Sequence, residues 1–222
     1  MGLYSLRRLR YKKRVRGTTL EHLWLSKLPA GGANWLQVPF MVADCEMSSL
    51  HAHAGELLSI AWVVVREGKV RLGESNQLLL NPGETVGQSA AIHHLRDCEL
   101  KSGLAKEAAL EAFLAVAAGK VLVFHNAVLD MAFLNKVSLQ YFDAPLLLPT
   151  IDTMQIERRW LQRRDQPLKP GDLRLEACRQ RYGLPRYPVH NALMDAVATA
   201  ELLLAQACHR SSGKPMKLSA LR

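Results

Sequence analysis

Residues 38–46 read VPFMVADCE, an apolar run that ends in two carboxylates, Asp44 and Glu46, one residue apart. A run this short and this apolar suits a central strand covered on both faces. A carboxylate taken out of water without a partner costs several kcal/mol or picks up a proton, so acids at the end of such a strand need a cation or hydrogen-bond donors from elsewhere in the chain. Residues two apart on a strand point to the same face, so the two acids can share one partner.

The segments around this strand suggest its neighbours. ELLSIAWVVV and KVRLGESNQLLLNP flank the turn REG and predict an antiparallel hairpin over residues 56–80. Helix-compatible segments follow near 89–98 and 103–118, then the short apolar strand KVLVFHN, then a helix AVLDMAFLNKVSLQY for which Asn126 is the expected N-cap. LPTIDT runs from strand into helix at Asp152–Thr153, Asp172 can cap LRLEACRQRYG, and ALMDAVATAELLLAQAC closes the chain's apolar part with an Ala/Leu-rich helix. Three strands followed by helix–strand alternation predict an α/β domain with a mixed sheet, its later strands added by helical crossovers.

A chain of 222 residues that is 49% apolar has enough material for one large core. Its net charge of +9 is placed unevenly, since residues 1–16 hold seven Lys or Arg and no acid. That block attracts phosphate backbones or anionic partners, with a solvated and disordered terminus as the plainer alternative. Cys45, Cys98, Cys178 and Cys208 are too widely spaced for a zinc motif and read as reduced thiols. With no apolar stretch long enough for a signal peptide or a membrane span, a soluble, cytoplasmic chain that makes no use of a membrane is expected.

Two further acids interrupt apolar helical segments close to their starts, Asp130 in HNAVLDMAFL and Asp195 in HNALMDAVATAEL. The helix dipole and the free amides of a first turn account for either one alone, but not for four such acids. If both helices pack against the strand ending at Asp44, the carboxylates converge and call for cations. Hard oxygen donors favour Mg²⁺ or Mn²⁺ over Zn²⁺. Two such ions about 4 Å apart would serve an in-line phosphoryl displacement. His190, five residues before Asp195, then sits where an imidazole could take a proton from the attacking water.

From about Val38 to Cys208 this arrangement resembles the DEDDh 3′→5′ exonucleases, a family that includes polymerase proofreading subunits and ribonucleases. Its D-x-E motif matches DCE with Asp44 and Glu46, its second motif matches HNAVLDMAFL with Asp130, and its H-x4-D motif matches HNALMD with His190 and Asp195. The resemblance implies a ribonuclease-H-like fold, a five-stranded mixed sheet flanked by helices, two Mg²⁺ or Mn²⁺ ions and release of 5′-mononucleotides from a 3′ end. Asp44 would bridge both metals, Glu46 and Asp195 would help hold the first, Asp130 would act partly through water, and His190 would be the base. Tyr187 keeps the tyrosine-type subclass in view, though His190 fits the spacing better.

The resemblance also suggests substrate contacts. Met47 and Ser48 stand where the family continues Thr-Thr-Gly, His93 of AAIHHLRD matches a histidine followed in the family by glycine rather than His94, and His125 and Asn126 open the second motif. On this reading a basic arm (1–37) precedes an exonuclease domain (38–208) and a basic tail (209–222).

Expected partners are single-stranded 3′ ends, DNA before RNA, and a polymerase assembly as a setting. A noncatalytic nucleic-acid-binding subunit is the rival reading, and self-association is compatible with everything in the sequence. Phe124, Trp160 and Tyr182 read as stacking platforms or as core. Arg158, Arg159, Arg163 and Arg164 in ERRWLQRR read as a backbone-tracking face or a solvated one.

Overall fold

The computed structural model describes residues 3–83, 100–164, 167–187 and 191–222. The expected helix near 89–98 with His93 and His94, and the expected base His190, lie outside the described residues.

Strand β1 (Phe40–Met47) sits at the centre of a five-stranded sheet. On one side it pairs antiparallel with β2 (Leu57–Arg66), which pairs antiparallel with β3 (Lys69–Leu79). On the other side it pairs parallel with β4 (Val121–Phe124), and β4 with β5 (Thr150–Asp152), so the order is β3-β2-β1-β4-β5. The mixed sheet and the hairpin are those expected. The hairpin turns at Glu67 and Gly68, whose φ values of 54° and 68° are both positive, as a two-residue turn matched to strand twist requires.

Helices lie on both faces. Helices α1 (Leu3–Leu9), α2 (Thr19–Leu25), α3 (Lys106–Ala117), α4 (Ala127–Phe142), α5 (Thr153–Gln162), α6 (Leu175–Arg181) and α7 (Ala192–Ser211) follow in chain order. The alternation along β1 divides two cores. Met41, Ala43, Cys45 and Met47 pack with α3 and α4, whereas Phe40 and Val42 pack with Val63, Val65, Val123 and the α7 side chains Ala200 and Leu203. Ala192, Ala196, Ala200 and Ala207 are all buried, and such small side chains let α7 lie close against the sheet.

Residues 3–37 are not a solvated coil. Val15, Leu20 and Leu23 are buried in the core shared by β1, α3 and α4, each contributing about 1.5–3 kcal/mol by leaving water. The Arg8 guanidinium donates to the Leu147 carbonyl at 2.9 Å and to that of Trp24 at 3.2 Å, and the Trp24 indole donates to the Leu146 carbonyl at 2.6 Å. Thr18 caps α2, its Oγ1 accepting from the Glu21 amide, while the Glu21 carboxylate accepts from the Gly17 amide just before the cap. At the other end Leu218 and Leu221 are buried in the second core, and the Leu218 amide donates to Ala33. Arm and tail therefore pack into the same body as the sheet. Among the described residues no helix is long and apolar enough to cross a membrane.

Candidate active site

The alternation that divides the cores also aims the acids. Asp44 and Glu46 follow Phe40 and Val42 on the α7 face of β1, and Asp195 lies in the first turn of α7. Asn191 caps that helix, its side chain accepting from the Met194 amide at 3.0 Å. The three carboxylates accordingly meet, with one oxygen from each of Asp44, Glu46 and Asp195 lying within 4.8 Å of the other two.

Asp130 approaches the end of β1 from the opposite layer. It belongs to the inward stripe of α4 with Ala127, Phe133, Leu134 and Val137, is 3% exposed, and accepts from the Cys45 amide at 3.1 Å. This position on the other side of the strand explains why it is not one of the three converging acids. Its carboxyl is pushed up to about 8, mainly by burial and against the lowering effect of the Cys45 amide.

Asp44 is raised well above the ordinary carboxylate range, first by burial and then by Asp130, Glu46 and Asp195, all charges of its own sign. Three carboxylates brought this close, with hard oxygen donors and no sulfur or imidazole among them, fit a hard divalent cation.

The turn after β1 is held tightly. The Ser48 amide donates to the Glu56 carbonyl at 2.9 Å, and its hydroxyl accepts from the Glu56 amide at 2.8 Å. Lys136 donates to the Gly55 carbonyl at 2.7 Å and to the Glu56 carboxylate at 2.6 Å, and Lys106 donates to the same carboxylate. A Cβ on Gly55 would come within 2.7 Å of Ser49 Cβ, so this approach needs glycine. The Ser48 amide and hydroxyl are thus engaged within the turn, and the Met47 side chain packs in the core, which leaves backbone position as what these two residues can offer a terminal nucleotide.

Asn126 corrects one expectation. It adopts φ 84° and ψ 52°, and its side chain makes no capping bond. The cap comes instead from Asp152 at the end of β5, whose carboxylate accepts from the Asn126 and Ala127 amides, both at 3.1 Å, and from the Met154 amide of α5 at 2.9 Å. One side chain thereby serves the starts of two helices. The Asp-Thr junction of strand and helix was visible in the sequence; its service to α4 was not.

His125 is a strut between loops. Its Nε2 donates to the Leu173 carbonyl at 2.9 Å, and its Nδ1 lies 2.8 Å from the Thr153 hydroxyl. Burial keeps its pKa below the ordinary imidazole value.

Next to Asp195, a cavity of about 180 Å³ is lined by Leu175, Arg179, Leu184, Tyr187 and Ala198. Arg179 stacks over Tyr187 at 4.7 Å and pairs with Glu201 at 2.8 Å, and the Tyr187 hydroxyl donates to the same carboxylate at 2.9 Å. This places Tyr187 in a clamp that fixes residues 184–187 to α7, which the sequence did not disclose.

Comparisons with known proteins agree with this geometry. Residues 41–203 match the family described as exonuclease. A DNA polymerase III subunit epsilon-like protein of Rhodobacter capsulatus is 31% identical over 175 residues, covering 76% of this chain and 23% of that one. The DNA polymerase III subunit epsilon of Aquifex aeolicus is 25% identical over 174 residues, covering 77% of this chain and 81% of its own length. In fold, the chain is similar to apo exonuclease I, with a TM-score of 0.64 at 16% identity over 76% of this chain and 42% of that one. It is likewise similar to cell-death related nuclease 4, with a TM-score of 0.64 at 14% identity over 81% of this chain and 66% of that one. The chain spans under a quarter of the length of the Rhodobacter relative and 12% of a Thermotoga petrophila PolC-type polymerase.

Proposed function

The chain belongs to the DEDDh-type 3′→5′ exonuclease family, with its ribonuclease-H-like fold, and from that premise we propose that it hydrolyses phosphodiester bonds at the 3′ end of single-stranded nucleic acid, DNA before RNA. The observation that carries this reading is the convergence of Asp44, Glu46 and Asp195 within 4.8 Å at the end of the central strand.

Membership in this family and the acid cluster imply dependence on divalent metal. Two ions, Mg²⁺ or Mn²⁺, are the proposed occupants: Asp44, Glu46 and Asp195 would hold one, and Asp44 with Asp130 the other. Bound metal supplies water activation and charge neutralisation at the departing oxygen. His190 takes the proton of the attacking water. That water's oxygen bonds to phosphorus, the bond from phosphorus to the 3′ oxygen of the preceding nucleotide breaks, and the products are a shortened strand and a nucleoside 5′-monophosphate.

This chain's own residues set the geometry for that step. Burial of β1 on both faces fixes the direction of Asp44 and Glu46, the Cys45 amide holds Asp130, and Asp152 and His125 hold the starts of α4 and α5. His125, Asn126, Met47, Ser48 and His93 are proposed to form the wall around the terminal nucleotide, the first four acting through backbone position more than through free side-chain groups. Epsilon relatives are named as subunits of DNA polymerase III, and a polymerase assembly is a proposed setting for this chain.

The test is incubation with 3′-labelled and 3′-blocked single-stranded DNA and RNA in Mg²⁺, Mn²⁺ or EDTA. Release of labelled mononucleotide from unblocked ends, only with metal, is expected. Metal-independent cleavage, or none on any substrate, would overturn the reading.

A further inference from the structure

The far end of α7 carries a second charged surface, opposite in sign to the first. Arg210 comes from the last turn of α7 and Arg159 and Arg163 from the end of α5; burial first, and then the charges of Arg163 and Arg159, lower the Arg210 pKa. Arg164 lies over the Trp160 ring at 4.2 Å. Trp160, Tyr182 and His209 form a cluster with ring centroids 5.8–6.5 Å apart. Among the described residues none of these four arginines is paired with a carboxylate.

A merely solvated face would spread such charges apart. Here two helices bring them together, Arg210 is half-buried, and nothing within the described fold neutralises them. Like charges held close cost stability unless an anion joins them. Guanidinium groups interleaved with aromatic rings match one class of polyanion well: a single strand, whose phosphates take the arginines and whose bases meet the rings.

We propose that this arginine–aromatic surface is a second nucleic-acid-binding site that holds the strand upstream of the bond being cut, about 21 Å from the acid cluster by the rise of α7 between Asp195 and His209. The proposal rests on the exonuclease reading for the direction of the strand, but binding at the surface does not require catalysis. At about 3.4 Å per phosphate, three nucleotides held at the acids span about 10 Å and fall short, whereas twelve span about 40 Å and reach it. The distance also exceeds a Debye length of about 8 Å in physiological salt, so charges removed here leave the acid site's field nearly unchanged.

The test is fluorescence anisotropy with oligothymidylates of 3 and 12 nucleotides carrying uncleavable phosphorothioate linkages, in Mg²⁺, on the full chain and on Arg163→Ala/Arg210→Ala. The 12-mer should bind the parent chain more tightly than the 3-mer. The double variant should lose about tenfold on the 12-mer and nothing on the 3-mer, and the slope of log affinity against log salt should fall by about 1.4, or 0.7 per charge removed. Arg163→Gln/Arg164→Gln, which changes two exposed side chains, should act in the same direction and guards against a folding defect. Equal losses on both lengths, no loss on either, or displacement of the 12-mer by polyglutamate but not by unlabelled strand would overturn the proposal. Hydrolysis of thymidine 5′-p-nitrophenyl phosphate, too small to reach the surface, reports separately on the exonuclease reading. Its absence in the parent chain would sink that reading while the anisotropy still decides this one.

Discussion

The two ends of α7 solve the same electrostatic problem in opposite ways. At the N-terminal end Asp195 joins Asp44 and Glu46 in a tight group; at the C-terminal end a half-buried Arg210 joins Arg159 and the exposed Arg163. Each sign suits its end of the helix dipole, worth about 0.3–1 kcal/mol apiece, which is too little to offset the repulsion in either cluster. What differs is the room left for a counter-charge. Carboxylates converging within 4.8 Å admit a small, hard cation, whereas guanidinium groups gathered beside three rings admit a flexible, extended anion.

The comparison breaks most completely at Asp44. Asp44→Ala should lower kcat on single-stranded DNA by about a thousandfold or more, because it removes the carboxylate proposed to touch both metals. It should not lower the Tm in EDTA, because the metal-free site loses a buried acid that three others of the same sign oppose. Its affinity for a 12-mer at the arginine end should persist. A variant with parental kcat would remove Asp44 from the chemistry.

The arginine end depends in turn on a buried anchor. Glu157 is fully buried, accepts from Arg181 at 3.2 Å, from the Tyr182 hydroxyl at 3.0 Å and from Gln206 at 3.1 Å, and so ties α5, α6 and α7 together beneath the aromatic cluster. Glu157→Ala takes away the acceptor shared by Arg181, Tyr182 and Gln206 and should cost about 1–3 kcal/mol in urea unfolding. A loss under 1 kcal/mol would show that the three helices hold their places without it.

How legible each end was follows from the range of the interactions involved. The acid end could be read because it rests on short periods: two along a strand for Asp44 and Glu46, and a capped helix start for Asp195. The hairpin was equally local. Asp130 was legible as an acid in an apolar helix but not as coming from the other side of the sheet, since no local pattern says which layer a crossover helix joins. The roles of Asp152 toward Asn126, of Leu218 toward Ala33, and of Arg210 toward Arg163 join residues far apart in sequence whose meeting depends on the finished packing. Local chemistry therefore showed the catalytic candidates, while the supports and the second surface needed the fold.

The acid end should also reveal itself through pH. Asp130, pushed up to about 8, keeps its proton in the folded chain between pH 4 and 8, where the unfolded chain has released it. The folded state then binds more protons at this group, so the Asp130 contribution to metal-free stability is full below about pH 4 and is lost as pH rises toward 8, by at most about 1.4 kcal/mol per pH unit. Urea titrations in EDTA should show that fall, Asp130→Asn should flatten it, and saturating Mg²⁺ should oppose it by binding the ionised site. A metal-free stability that rises across this range would contradict the burial cost assigned to Asp130.

The smallest expected effect lies between the two ends. Thr199 is buried midway along α7, and its hydroxyl has no hydrogen-bond partner among the described residues. Thr199→Val keeps the shape and removes a polar group that left water without compensation, so it should stabilise the chain by about 1 kcal/mol. Because the change adds and removes no charge, kcat and the dependence of affinity on strand length should both stay at parental values. A change in either would mean that the ends of α7 are coupled through its packing and do not act as independent sites on a rigid rod.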